Sequence, residues 1–353
     1  MEKTVRERNY GIDLLRIVAM MMVVLLHVIN QGGVLNATSE NLINHGIAGF
    51  LVAAAYGAVN CYALVSGYVG MSSKTKYANI IQLFFQVVFY TLTITTVFYF
   101  LRPGTLEKKD FISAVLPVSN ESYWYFTAYF GMFFFSPFFN KMLNSLSKKE
   151  AKTLVVTIIV VLSVIPCIFK KDVFKAEWGY SVVWLCALYV FGGCLKILEP
   201  ERYIKKLPAF LLFFICVSIT FVSTFLDGVN KYTFLLTYTS PTVLISAVAL
   251  LILFSQLEFK KIFKKIIAFF SPLAFGVYLI HTEPYVWNNV LAGSFIHFGN
   301  ETPIVLILSI FVSVLVIWFV CSMIDYLRLL IFKLLHLKNL CVFIENRFLK
   351  KLF

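Results

Sequence analysis

The chain has 353 residues, of which 60% are hydrophobic, 17% aromatic and only 14% charged, with a mean hydropathy of +0.83. No soluble globular domain requires that much apolar surface, so the composition points to an integral membrane protein. The net charge of +13 does not indicate nucleic acid, because the Lys and Arg residues lie in short runs between long apolar segments, the pattern of membrane topology and of attraction to anionic lipid.

A helix needs about 20 apolar residues to cross the hydrocarbon core. Ten segments qualify: residues 11–30, 46–70, 78–101, 123–140, 153–169, 180–198, 208–226, 233–255, 266–288 and 303–332. The expected fold is all-α, a polytopic transmembrane bundle of about ten spans, multi-pass in the cell membrane. With the N-terminus in the cytoplasm, 23 of the 31 Lys and Arg fall on the cytoplasmic side and seven outside, while Arg16 lies within the first span. The positive-inside rule then places both termini in the cytoplasm.

The first span lacks a small-residue cleavage site and carries an arginine, so it reads as a retained signal-anchor. Within it Arg16 and His27 bracket ten apolar residues, "RIVAMMMVVLLH". Charged and titratable groups are expensive in hydrocarbon. Their spacing is close to three helical turns, which puts both on nearly one face about 16 Å apart. One face thus carries a fixed cation near the cytoplasm and a titratable base toward the outside. Asp13 is placed to pair with Arg16. The bland alternative is an arginine that snorkels to phosphates and a water-capped interfacial histidine.

The first outer loop, "NQGGVLNATSENLINHG", and the last, "NNVLAGSFIHFGNETP", contain no Lys or Arg and suit a polar, neutral substrate such as a sugar. The second span closes on "NCYALVSGY", in which Ser66 and Gly67 are either functional or a small-residue packing contact between helices. Trp124, flanked by Tyr123 and Tyr125, starts the fourth span at the outer face, as an aromatic belt or as a sugar-stacking platform. His281 lies at a depth similar to His27 and is followed by Glu283; His281 binds acceptor, assists the base, or is a satisfied interfacial histidine. Asp325 and Arg328 are expected to pair at the inner headgroups. The transmembrane domain covers residues 1–332, and residues 333–353 read as an amphipathic helix on the inner leaflet. The seven cysteines show no metal-ligand spacing and read as packed thiols, so no metal is expected. There is no Gly-x-Ser-x-Gly elbow, P-loop, paired-carboxylate pattern or zincin helix.

"NYGIDLLRIVAMMMVVLLHV" resembles the first helix of the membrane acyltransferase 3 family, whose signature is an arginine or lysine, ten residues and a histidine. "NCYALVSGY", "YWYFTAYFGMFFFSPFFN" and "FGVYLIHTEPYV" are similar to the family's second-helix, aromatic and late Tyr-Leu-Ile-His segments. The resemblance implies a ten-helix enzyme that moves an acyl group, usually acetyl, from cytoplasmic acetyl-CoA to a hydroxyl of an extracytoplasmic glycan. Acetyl-CoA would be a donor substrate, with no tightly bound cofactor. Where the family often carries an Arg-rich motif after the second helix this chain has "SSKTKYANI", so Lys74 and Lys76 are the candidates for the cation role toward CoA. Many relatives add a C-terminal esterase-like domain; here the membrane unit is expected to suffice or to work with a separate partner.

Acyl transfer from a thioester needs a base for the hydroxyl proton, a donor for the developing oxyanion and a site for the anionic CoA head. His27 is the natural base, because an unperturbed imidazole titrates near about 6.5. Arg16 can hold a carbonyl oxygen, fix a carboxylate or meet a CoA phosphate. The alternative function is a transporter or flippase of a lipid-linked sugar or other polar solute, with Arg16 and His27 lining the path.

Overall fold

The structure, a computed structural model, describes residues 8–226 and 234–349. Lys3, Arg6, Lys231, residue 233 of one expected span and the last four residues of the tail lie outside the described residues. All regular elements among the described residues are helical.

Asn9 starts the first helix by accepting from the Ile12 N–H at 3.1 Å, and α1 spans Tyr10–Ile29. It is followed by α2 (Leu42–Ala55) and α3 (Ala58–Gly70), which share one expected span but break at Tyr56–Gly57. Next come α4 (Tyr77–Leu101), α5 (Trp124–Ser145) and α6 (Lys148–Ile159), the last opened by a reciprocal Ser147–Glu150 cap and continued through a π-helical turn to Phe169. Then follow α7 (Val182–Leu198), α8 (Lys206–Leu226), α9 (Pro241–Ser255), α10 (Lys261–Phe270) and α11 (Ala274–His281). The chain closes on the 32-residue α12 (Pro303–Leu334) and α13 (Leu337–Ile344).

Seven helices, counting α2–α3, α6 with its continuation and α10–α11 as single rods, are long and apolar enough to cross a membrane among the described residues. The other expected spans correspond to α5, α7 and α9. Helix α5 carries Lys141, Asn140 and Asn144 in its last turns, while α7 and α9 have only 17 and 15 residues. The ninth expected span stops at His281 rather than residue 288, because the pyrrolidine of Pro284 disfavours helical backbone just before it.

Both ends of the bundle are fixed by hydrogen bonds. At one end Asn9 donates to Ser255 O, and Asn140 and Asn144 donate to the carbonyls of Gly70 and Met71. Turns and helix starts here carry Lys74, Lys76, Lys148, Arg202 and Lys260, and we call it the basic end. At the other, Gly293 and Phe295 donate to Gln31 O and Gly32 O, joining the last long loop to the end of α1. In between, α3 and α7 meet backbone to backbone: a Cβ on Gly67 would stand 1.8 Å from Tyr189 O, and one on Gly192 2.0 Å from Leu64 O. Gly67 is therefore the small-residue packing contact.

Asp325 and Arg328 do form the expected pair, Nη2 to Oδ2 at 2.7 Å, and it is buried among helices rather than exposed on the surface of the bundle. Asp325 is fully buried and Arg328 is 4% exposed. The carboxylate also accepts from Gln86 at 3.0 Å and Tyr90 at 2.8 Å, both on α4, and it lies against Gly276 of α11. A charge pair that is fully hydrogen-bonded can stay inside, where an unpaired one would be driven out. The tail differs as well, since α12 runs on to Leu334. Helix α13 packs on α4 with Cys341 buried, and the Glu345 carboxylate accepts from the Tyr77 N–H at 3.0 Å, capping the start of α4.

Candidate functional site

Helix α1 sits among α2, α3, α9, α10, α11 and α12, and 13 of its 20 residues are buried. One of its faces nevertheless borders a cavity of about 530 Å³. The rim is formed by loop residues at the end opposite the basic one, Asn30, Glu121, Ser122, Thr282 and Asn288, and the lining reaches down to Met20 and Tyr62. His27 is in the wall.

The walls are aromatic. Trp124 faces the cavity rather than the periphery, with its ring centroid 4.6 Å from Tyr180 and stacked on Tyr238 at 5.9 Å. Tyr238 is held from behind, where Asn60 donates to its carbonyl at 2.8 Å and accepts from Trp184 Nε1 at 3.0 Å. Tyr56, Tyr123, Tyr125 and Tyr278 add further rings. Among the lining residues Glu121 is the one carboxylate, and there is no Lys or Arg. Ring faces and phenolic hydroxyls with little charge suit an uncharged polyhydroxylated ligand better than an anion.

Around His27 the structure gathers residues from three segments. His27 Nδ1 is 2.8 Å from Nε2 of His281 at the end of α11. His281 Nδ1 is 2.5 Å from the Val277 carbonyl oxygen one turn earlier. Trp287 packs edge-on against His27 at 4.7 Å between centroids. His281 is 2% exposed and stands behind His27 rather than in the cavity lining. Glu283 is also buried; it accepts from the N–H groups of Tyr285 at 2.8 Å and Val286 at 3.3 Å and so caps the short helix Pro284–Val286. Burial pushes its carboxyl up to about 7, against the opposing pull of those two N–H groups.

Arg16 belongs to a second group, below the cavity. Its Nη1 is 2.8 Å from Asp13 Oδ1, the pair expected from their spacing, and Asp13 also binds Arg8. The Arg16 carbonyl accepts from Tyr62 at 2.6 Å, which fixes the deepest part of the cavity to α1. Ser66 donates to Tyr62 O at 2.8 Å and meets Tyr129, which also feels the Arg16 charge. Lys74 and Lys76 are exposed in the turn before α4 at the basic end, away from the cavity. The sequence-predicted residues thus fall into three places: His27 and Trp124 in the cavity wall with His281 and Glu283 buried behind it, Arg16 and Ser66 beneath it, and the two lysines at the surface. Tyr62, Trp287, Tyr180 and Tyr238 were not foreseen; lone aromatic residues in an aromatic-rich chain carry no local signal.

The arrangement offers a nitrogen base in the wall of a polar-rimmed, water-accessible cavity and a fixed cation on the same helix about 16 Å away along its axis, at about 1.5 Å per residue. A sequence profile described as an acyltransferase domain matches residues 9–323, a range that includes every one of these groups. No curated protein and no solved structure matches the chain.

Proposed function

The chain belongs to the acyltransferase 3 family, and on that premise we propose that it is a cell-membrane O-acyltransferase which moves an acyl group, taken to be acetyl, from cytoplasmic acyl-CoA to a hydroxyl of an extracytoplasmic glycan. In this reading ten helices cross the membrane, with α5, α7 and α9 completing the set. The basic end and both termini face the cytoplasm, and the tail lies along the inner leaflet. Support comes from the distribution of Lys and Arg, which favours the cytoplasm for that end. The cavity then opens outward and receives the acceptor, whose sugar rings stack on Trp124 and the tyrosines.

The single observation that carries the reading is His27, half-buried in the cavity wall and backed by His281 at 2.8 Å. As the acceptor oxygen bonds to the thioester carbon, its proton passes to His27. When the tetrahedral intermediate collapses, the carbon–sulfur bond breaks and the proton leaves with the thiolate as CoA thiol. Arg16, 31% exposed at its side chain and held by Asp13, is the cation that meets the donor from the cytoplasmic side, with Lys74 and Lys76 available to the CoA phosphates at the surface.

Purified full-length protein tests this. Acetyl-CoA should raise its melting temperature, and His27→Ala should keep that stabilisation while transfer to a neutral oligosaccharide falls by roughly 10² to 10⁴. Indifference to acetyl-CoA, or a His27→Gln variant that transfers at the normal rate, overturns the reading and leaves the transporter alternative.

A further inference from the structure

The two histidines define which nitrogen of His27 is the base. Val277 offers His281 Nδ1 a carbonyl oxygen, which only accepts, so Nδ1 at 2.5 Å carries the hydrogen. A neutral imidazole has one ring hydrogen, which leaves His281 Nε2 as an acceptor. His27 Nδ1, 2.8 Å from that nitrogen, must then be the donor. His27 Nε2 is left bare, and it is the ring nitrogen that remains for the cavity.

We infer that His281 is a positioning residue: it fixes His27 as the Nδ1–H tautomer with Nε2 presented to the acceptor hydroxyl, in a relay that runs Val277 carbonyl, His281, His27, substrate. The assignment rests on the proposed acyl transfer for its purpose, but not for its geometry. The hydroxyl proton moves to His27 Nε2 as the new carbon–oxygen bond forms, and His27 becomes an imidazolium. Its Nδ1–H bond to His281 becomes charge-assisted and shortens in effect. His281 stays neutral throughout, and the proton returns from the same Nε2 to the leaving sulfur. A carboxylate would orient the base equally well, but it would place a permanent anion where the second ring is 2% exposed, and an uncompensated buried charge is expensive. Trp287, edge-on at 4.7 Å, limits rotation of the His27 ring out of this pose.

The test is histidine-selective ¹⁵N NMR of the full-length protein in lipid, without substrate, with His27 assigned by its loss in His27→Gln. A protonated Nδ1 and bare Nε2 are expected in the wild type, and loss of that preference in His281→Leu. Kinetically, His281→Leu should lower kcat about ten-fold or more with the acetyl-CoA KM unchanged, the signature of a misplaced base. His281→Gln should recover much of the loss, because its amide oxygen can accept from His27 Nδ1. A wild-type His27 protonated at Nε2, or equal rates for the Leu and Gln variants, overturns the relay. If the tautomer is as inferred but acetyl-CoA is neither bound nor consumed, it is the acyltransferase reading that fails.

Discussion

Glu283 shows how one side chain outside the spans links burial to pH. Its carboxyl is 2% exposed and is raised to about 7, above the range of an unfolded glutamate. Between the unfolded and folded values the folded protein holds the extra proton, so this group's contribution to stability is fully present below the unfolded pKa and is lost as pH rises through about 7. The melting temperature should therefore fall by a few degrees from pH 5 to about pH 8. Glu283→Gln, which keeps an acceptor for the Tyr285 N–H, should flatten that part of the curve; an unchanged slope would remove Glu283 as its source. At this scale the sequence was legible where spacing carries meaning. Asp13 and Arg16 are one helical turn apart and pair, and the eleven-residue interval to His27 keeps base and cation on one helix. Trp287 and Tyr62 were not legible, because their roles come from contacts across helices far apart in sequence.

Between elements, the informative contact joins α11 and α12. A Cβ on Gly276 would lie 2.1 Å from Asp325 Cγ, inside the buried cluster of Gln86, Tyr90, Asp325 and Arg328. Gly276→Val must displace the carboxylate or the helix that carries His281, and disrupting a buried pair costs about 3–5 kcal/mol. Gly46→Val on α2, where a Cβ meets nothing within 4 Å, is the matched control. Melting curves should show a large loss for the first and little for the second; similar curves would mean that α11 is not seated on Asp325. The i,i+3 spacing announced that pair, but not its burial, since the partners on α4 lie more than two hundred residues earlier in the chain. Without the buried Arg328, 22 of the 23 basic residues counted toward the proposed cytoplasmic side remain.

For the whole molecule, hydropathy anticipated where the long helices lie, because long runs of apolar side chains have few alternatives to a helix in a bilayer, but their ends are displaced by up to seven residues, as at His281. It did not anticipate the break at Tyr56–Gly57, where α2–α3 comes so close to α9 that a Cβ on Gly57 would stand 2.9 Å from Ser246 Oγ. The proposed orientation is checked with single cysteine probes at Asn36 and Lys148, in a background where the seven native cysteines are replaced. Impermeant reagent on intact cells should label the first and not the second; the reverse labelling sinks the topology.

The packing of α1 also bears on what has to move. This helix is enclosed by six others, and Tyr62 on α3 is bonded to its backbone at 2.6 Å. Alternating-access transporters work by rocking one bundle against another around a fixed site, and a helix packed against six others, with one face left to a cavity, is a poor pivot for that. Arg16 and His27 both belong to this packed helix, so in the proposed reaction the acyl thioester has to reach up to groups held on one element. In the proposed transfer only the acyl fragment changes sides, handed along the wall of one packed helix.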